Sequence, residues 1–229
     1  NAVNNTLADG GKVLIPIPAV GRAQEIMMVI DHYMKSGEMV EAPVFTEGMI
    51  SEASAIHESY PEYLARELKQ KILETDDNPF DSEYFTNIEH ADAREEPMRD
   101  DSPCIILATS GMLEGGPVLE YFKNIAPDKK NKVLFVSYQV NGTLGRRVLD
   151  GSKQATMLGK EGKVEIVTIN CGVEKLDGFS GHSDYNQLMS FVQRLRPKLR
   201  RVLVNHGERS KSKNLAMNIG RMYKLPAHF

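Results

Sequence analysis

Short apolar runs alternate along the chain with longer segments in which apolar residues recur every three or four positions. The first run, residues 11–18 (GKVLIPIP), predicts a buried strand, and the apolar residues of 19–34 follow helical spacing. Two later runs, residues 103–108 and 132–137, are continuously apolar, which is typical of strands covered on both faces. Strands that alternate with helices predict an α/β fold with a parallel sheet and right-handed crossovers.

The rest of the chain continues this alternation of strands and helices, apart from one polar stretch. It predicts further strands at residues 43–46, 163–170, 173–179 and 201–204, and further helices at residues 51–73 (broken near Pro61), 117–124, 184–195 and 210–223. Residues 74–101 hold 11 acidic side chains, and we expect an exposed connection there with at most one short helix.

Composition narrows the class of protein. The 229 residues are 41% hydrophobic and 26% charged, which excludes a disordered, collagen-like or low-complexity chain. No apolar run approaches the roughly 20 residues of a membrane helix, so we expect a cytoplasmic protein. Two cysteines cannot form a disulfide framework, and we predict buried free thiols. The chain begins without Met, which suggests a fragment.

The small net charge of −3 conceals a strong polarity along the chain. Residues 1–140 carry 12 Lys and Arg against 24 Asp and Glu, whereas residues 141–229 carry 16 against 7. A basic C-terminal third attracts a polyanion if its charges share a surface, and it attracts nothing in particular if they are scattered.

Five loops that follow predicted strands contain small and polar residues. They cover residues 18–22, 108–112, 137–142, 178–184 and 204–208. Ligands of open α/β sheets gather at such loops, although each loop alone is equally typical of an ordinary turn.

His182 and His206 each follow a predicted strand among small residues. Two histidines in equivalent loops favour a shared metal or acid–base site, whereas Ser183 and Asp184 also fit the N-cap of the next helix. A complete zinc site needs three or four protein ligands, and the sequence has no closely spaced His or Cys pair to supply them. The chain alone is therefore not expected to build a metal centre.

Five ordered motifs together resemble the β-CASP branch of the metallo-β-lactamase nucleases, in particular archaeal homologues of the cleavage and polyadenylation specificity factor nuclease. They are residues 21–25 (GRAQE), 108–112 (ATSGM), 142–146 (GTLGR), 179–184 (FSGHSD) and 204–208 (VNHGE). The resemblance implies a Rossmann-like parallel-sheet β-CASP domain at residues 1–178. Residues 179–229 would then be the C-terminal strands and helices of a metallo-β-lactamase fold whose N-terminal part is absent.

The same resemblance implies roles for five residues. His182 matches a catalytic histidine beside the scissile phosphate, and His206 matches a ligand of the second zinc ion. Ser110, Gly111 and Arg146 would line the nucleic-acid cleft. The implied function is zinc-dependent hydrolysis of phosphodiester bonds in single-stranded RNA, during RNA 3′-end processing or transcription termination.

The family's remaining metal ligands lie in a part of the lactamase domain that is not in this sequence. We therefore expect two zinc ions in the intact parent protein, none stably bound by this fragment, and no activity of the fragment alone. The resemblance also implies a homodimer or a paralogue heterodimer of the parent.

Two rival interpretations remain. One is a catalytically dead β-CASP subunit that binds RNA or serves as a scaffold. The other is a nucleotide-binding α/β module, which is disfavoured because the chain has neither a P-loop motif nor a Gly-x-Gly-x-x-Gly motif.

Overall fold

The computed structural model describes residues 1–75, 77–159, 162–179 and 181–229. Contacts between residues divide the chain into two compact units, Asn1–Phe179 and Ser180–Phe229.

The strands of the first unit are β1 (Val13–Pro16), β2 (Val44–Glu47), β3 (Phe85–Ile88), β4 (Ile105–Ala108), β5 (Lys132–Phe135), β6 (Gln154–Leu158), β7 (Val164–Thr168) and β8 (Gly172–Lys175). Six of them form one sheet in the order β3-β2-β4-β1-β5-β8, in which every neighbouring pair is parallel, whereas β6 and β7 lie outside this sheet. The α/β class with a parallel sheet is confirmed.

Helices connect these strands on both faces of the sheet. They are α1 (Ala2–Ala8), α2 (Arg22–Lys35), α3 (Ile50–Ser59), α4 (Arg66–Glu74), α5 (Val118–Ile125) and α6 (Leu144–Leu149), with 3-10 turns at Pro61–Tyr63 and Ala91–Met98.

Strand β1 is buried on both faces, which explains why its sequence is continuously apolar. Val13 and Ile15 pack with α2 in one hydrophobic cluster, whereas Leu14 packs with α5 in the other. The helix after β1 and the helix after its neighbour β4 therefore cover opposite faces. Such a reversal between adjacent strands opens a crevice at their carboxyl ends.

We expected the acidic stretch at residues 74–101 to be an exposed connection, but it also contributes a strand to the sheet. It contains β3, which pairs with β2 from Phe85 to Ile88 at the edge of the sheet. Only Ile88 of this strand is buried, because an edge strand needs few apolar side chains. The hydrophobic pattern was therefore too weak to indicate it.

A second difference concerns residues 163–170. The strand predicted there is β7, but it pairs antiparallel with β6 in a separate hairpin. Ala155, Met157 and Val167 of this hairpin pack against the cluster that contains α5. Helix α1 was also absent from the prediction.

The second unit contains α7 (Tyr185–Leu195), a 3-10 turn (Arg196–Lys198), β9 (Val202–Leu203), α8 (Arg209–Tyr223) and β10 (Ala227–His228). Its small core consists of Met189 and Val192 of α7 with Ile219 and Tyr223 of α8. The Tyr223 hydroxyl donates to the Met189 carbonyl oxygen over 3.1 Å, and β9 pairs parallel with β10.

Cys104 and Cys171 are free and buried, as predicted. Burial raises the pKa of each thiol to about 11, so both stay protonated near neutral pH. None of the described helices is long and apolar enough to cross a membrane.

A buried carboxylate joins the end of β2 to helix α5. Glu47 accepts a hydrogen bond from the Tyr121 hydroxyl at 2.5 Å and another from the Arg94 Nε atom at 2.7 Å. Burial, and then the neighbouring Glu47 carboxylate, raise the pKa of Tyr121, so this hydroxyl remains a donor. A buried charge is tolerated when it is paired and hydrogen-bonded in this way.

Tyr121→Phe removes the hydroxyl donor while keeping the ring. We expect the free energy of unfolding to fall by about 1.5–3 kcal/mol, because the buried Glu47 carboxylate loses one of its two hydrogen-bond donors. Urea denaturation measures this loss. The control is Tyr63→Phe at an 84% exposed side chain, which should change stability by no more than about 0.5 kcal/mol; equal stability of the two variants would contradict the account.

Candidate functional site

The loop after β4 carries Ser110 and Gly111, and it packs against the loop after β1. A Cβ atom on Gly111 would lie only 2.8 Å from the Pro18 Cδ atom, so this close approach requires glycine. The Ser110 Oγ atom accepts a hydrogen bond from the Glu114 backbone N–H at 3.1 Å. The serine is half-buried and fixed within its own turn.

Gln139 lies in the loop after β5, and its side chain connects the loop after β4 to the N-terminal turn of α6. Its Nε2 atom donates to the Gly111 carbonyl oxygen at 2.9 Å, and its side chain is 99% buried. Gly145 lies directly against it, because a Cβ atom there would fall 2.0 Å from the Gln139 Oε1 atom. The Gly145 backbone N–H also donates to the Met112 carbonyl oxygen at 2.9 Å.

Arg146 therefore lies in the first turn of α6, and the contacts of Gly145 fix this turn next to the loop that carries Ser110 and Gly111. The Thr143 side chain caps α6 by accepting from the Arg146 backbone N–H at 3.2 Å. The Arg146 side chain is partly exposed, and its Nε atom donates to Asp150 at 2.8 Å. The structure thus brings together the three predicted cleft residues in adjacent, hydrogen-bonded loops at the carboxyl edge of the sheet.

His182 lies in the second unit, just before α7. Asp184 is the N-cap of that helix, since its side chain accepts from the Gln187 backbone N–H at 2.8 Å and the Gln187 side chain returns a bond to the Asp184 N–H. The capping alternative is therefore correct for Asp184. His182 lies outside the helix with an exposed side chain, where it can reach a ligand.

His206 lies after β9 in a left-handed backbone conformation, with φ of 61°. This region is uncommon for a residue that is not glycine, and such conformations often occur at functional sites. The histidine lines a cavity of about 580 Å³ together with Tyr185, Leu188 and residues of α8. Tyr185 comes three residues after His182, so the helix that follows the His182 loop begins at the cavity that His206 lines.

His206 fits one ligand position of a zinc site, because an exposed imidazole beside a cavity offers a nitrogen donor. Within the described ranges, no three His, Cys, Asp or Glu side chains lie close enough together to hold a metal ion. The described residues therefore do not complete such a site.

Several positioning residues escaped the sequence analysis. Gln139 lies in one of the five predicted loops, but the sequence indicated no role for it. The sequence also did not indicate Glu114, whose carboxylate accepts a hydrogen bond from the Leu144 N–H at the start of α6. Neither belongs to a short motif, since each acts on a segment that is distant along the chain. The role of Glu47 could not be predicted either, because a single glutamate at the end of a strand forms no recognisable sequence motif.

Two family models match the chain. The Beta-Casp domain matches residues 23–148, and the Zn-dependent metallo-hydrolase RNA specificity domain matches residues 166–228. The second match begins inside the first structural unit, at β7.

Curated relatives match over nearly the whole chain. A transcription termination factor FttA from Cenarchaeum symbiosum is 81% identical over 229 residues, which are 100% of this chain and 36% of the relative. Proteins of the same name from Pyrococcus horikoshii and Methanocaldococcus jannaschii are 48% and 47% identical over 97% of this chain, and the chain covers 34% and 35% of them. The chain thus spans about a third of the length of these relatives, and it belongs to the β-CASP family of metallo-hydrolases.

Proposed function

We propose that the chain is part of a zinc-dependent ribonuclease that hydrolyses phosphodiester bonds of single-stranded RNA in transcription termination or RNA 3′-end processing. The observation that carries the proposal is the cavity that places His206 beside the start of α7, three residues after His182. Family membership and relatives named as transcription termination factors support the same reaction and process.

In this proposal the two histidines have different roles. His206 would hold one zinc ion through its imidazole, and the zinc ions of the intact protein would supply an activated water and neutralise charge on the phosphate. His182 lies beside the scissile phosphate, where it donates a proton to the leaving oxygen or a hydrogen bond to the phosphate. Because the chain provides a single candidate ligand, the isolated fragment is inactive and binds no zinc stably.

The three cleft residues act on the RNA backbone. The Arg146 guanidinium contacts a phosphate, and Ser110 and Gly111 offer a hydroxyl and backbone groups at the carboxyl edge of the sheet. Residues 1–178 form the β-CASP domain, and residues 179–229 complete the metallo-β-lactamase fold. The proposal includes a dimer of the parent, with a second copy or a paralogue, and a cytoplasmic location.

Variants of the two histidines separate these roles in the intact parent protein. His206→Asn should lose bound zinc and cleavage together. Because asparagine enters the left-handed region readily, the free energy of unfolding of the metal-free variant should stay within about 0.5 kcal/mol of that of the metal-free wild type. His182→Ala should retain zinc while single-turnover cleavage slows by about 10²-fold or more. Wild-type cleavage by both variants would show that the site is assigned wrongly.

Arg146 has a matched control in its neighbour Arg147, which is exposed and carries the same charge. Arg146→Gln should raise the KM for single-stranded RNA by about tenfold through the loss of a charge-assisted phosphate contact. Arg147→Gln should change KM by less than about twofold, because consecutive helical residues point in different directions. Steady-state kinetics with one RNA substrate measures the KM of both variants. Equal effects of the two substitutions on KM would contradict a specific contact of Arg146 with the RNA.

A further inference from the structure

The second unit carries a dense group of positive charges that the reaction centre does not use. Residues Ser180–Phe229 contain ten Lys and Arg against two Asp and Glu. Half of these cations belong to one stretch of eight residues, which we name the basic run: Arg194, Arg196, Lys198, Arg200 and Arg201.

The five side chains of the basic run are exposed in this chain. Among the residues that the structure describes, none of the five forms an ion pair, whereas Lys211 of the same unit pairs with Glu208 at 3.2 Å. Five like charges within at most about 28 Å of chain repel one another, and a polyanion relieves that repulsion.

The basic run lies at the opposite end of the unit from the histidines. Tyr185 at the start of α7 and His206 after β9 line the same cavity. The basic run joins the other ends of these two elements, and α7 alone is 11 residues or about 16 Å long. A ligand held by the basic run therefore does not occupy the His206 cavity.

The side-chain chemistry indicates an anionic ligand rather than a neutral one, and the RNA phosphate backbone is the anion that the proposed function supplies. Four of the five cations are arginines, whose planar guanidinium groups bind phosphate oxygens through two parallel hydrogen bonds. The run contains no aromatic residue on which a base could stack, so recognition is directed at the backbone and not at base sequence.

We propose that the basic run binds the phosphate backbone of single-stranded RNA outside the reaction centre. The RNA ligand of this inference rests on the proposed function, whereas the exposed cationic surface and its attraction for anions do not. The contact adds affinity for long RNA without affecting the bond that is cleaved. Short RNA that fills only the His206 end of the unit gains nothing from it.

The test uses the intact parent protein with His182→Ala as background, so that RNA is cleaved only slowly during the binding measurement. Arg196→Gln, Lys198→Gln and Arg200→Gln are combined in one variant. The control combines Lys129→Gln, Lys130→Gln and Lys153→Gln, three exposed residues of the first unit with the same total charge loss. Binding of single-stranded RNA of about 30 and about 6 nucleotides is measured across a salt series.

For the long RNA, the basic-run variant should raise Kd by about tenfold near 0.15 M salt. It should also flatten the slope of log Kd against log salt by about 2, since each lost phosphate contact accounts for about 0.7. The short RNA and the control variant should change less than about twofold. A charge-retaining variant, Arg196→Lys with Arg200→Lys, should lose less affinity than the basic-run variant, because it keeps the electrostatic attraction and loses only the paired guanidinium hydrogen bonds.

Equal binding of long RNA by the basic-run and control variants would overturn the inference, and so would equal losses for short and long RNA. A parent protein that binds long RNA through the basic run but never cleaves it would reject the proposed function and leave this inference standing.

Discussion

A parallel sheet places the carboxyl ends of all its strands along one edge, and every candidate residue of the first unit depends on that constraint. Strands β1, β4 and β5 are covered on both faces, so the loops that follow them meet at this edge. Close contacts at Gly111 and Gly145 then lock the loops together, with the buried Gln139 side chain between them. The fold thus presents Ser110 and Arg146 from a rigid support.

The second unit is organised differently. Among the residues that the structure describes, its hydrophobic cluster contains four buried side chains, and its helix α7 leaves Phe191 63% exposed. A unit this small, with such a core, depends on further contacts for stability. This supports the proposal that the unit acts as part of a larger metallo-hydrolase in which His206 is one metal ligand. Its positive charge also contrasts with the acidic first 140 residues.

The buried part of the fold could be predicted from the sequence, because a strand covered on both faces leaves a continuous apolar run such as residues 103–108. Edge elements could not. Strand β3 has one buried side chain, Ile88, and lies in an acidic stretch, while β6 alternates buried and exposed positions over only five residues. Each obtains its stability from a partner that is distant in sequence, and a local pattern does not report that partner.

The candidate site divides in the same way. The histidines and the Ser110–Gly111 pair lie in recognisable motifs, so the resemblance to a known family indicated them. Gln139, Glu114 and Glu47 act by holding other segments in place, and their partners are identified only when the chain is folded.

The central claim is that this chain completes a two-metal ribonuclease. The most direct measurement is elemental analysis of the intact parent protein, purified without added metal. The account predicts about two zinc ions per polypeptide. A zinc-free protein that still binds single-stranded RNA would contradict the claim and establish the alternative, a catalytically dead subunit that binds RNA or serves as a scaffold.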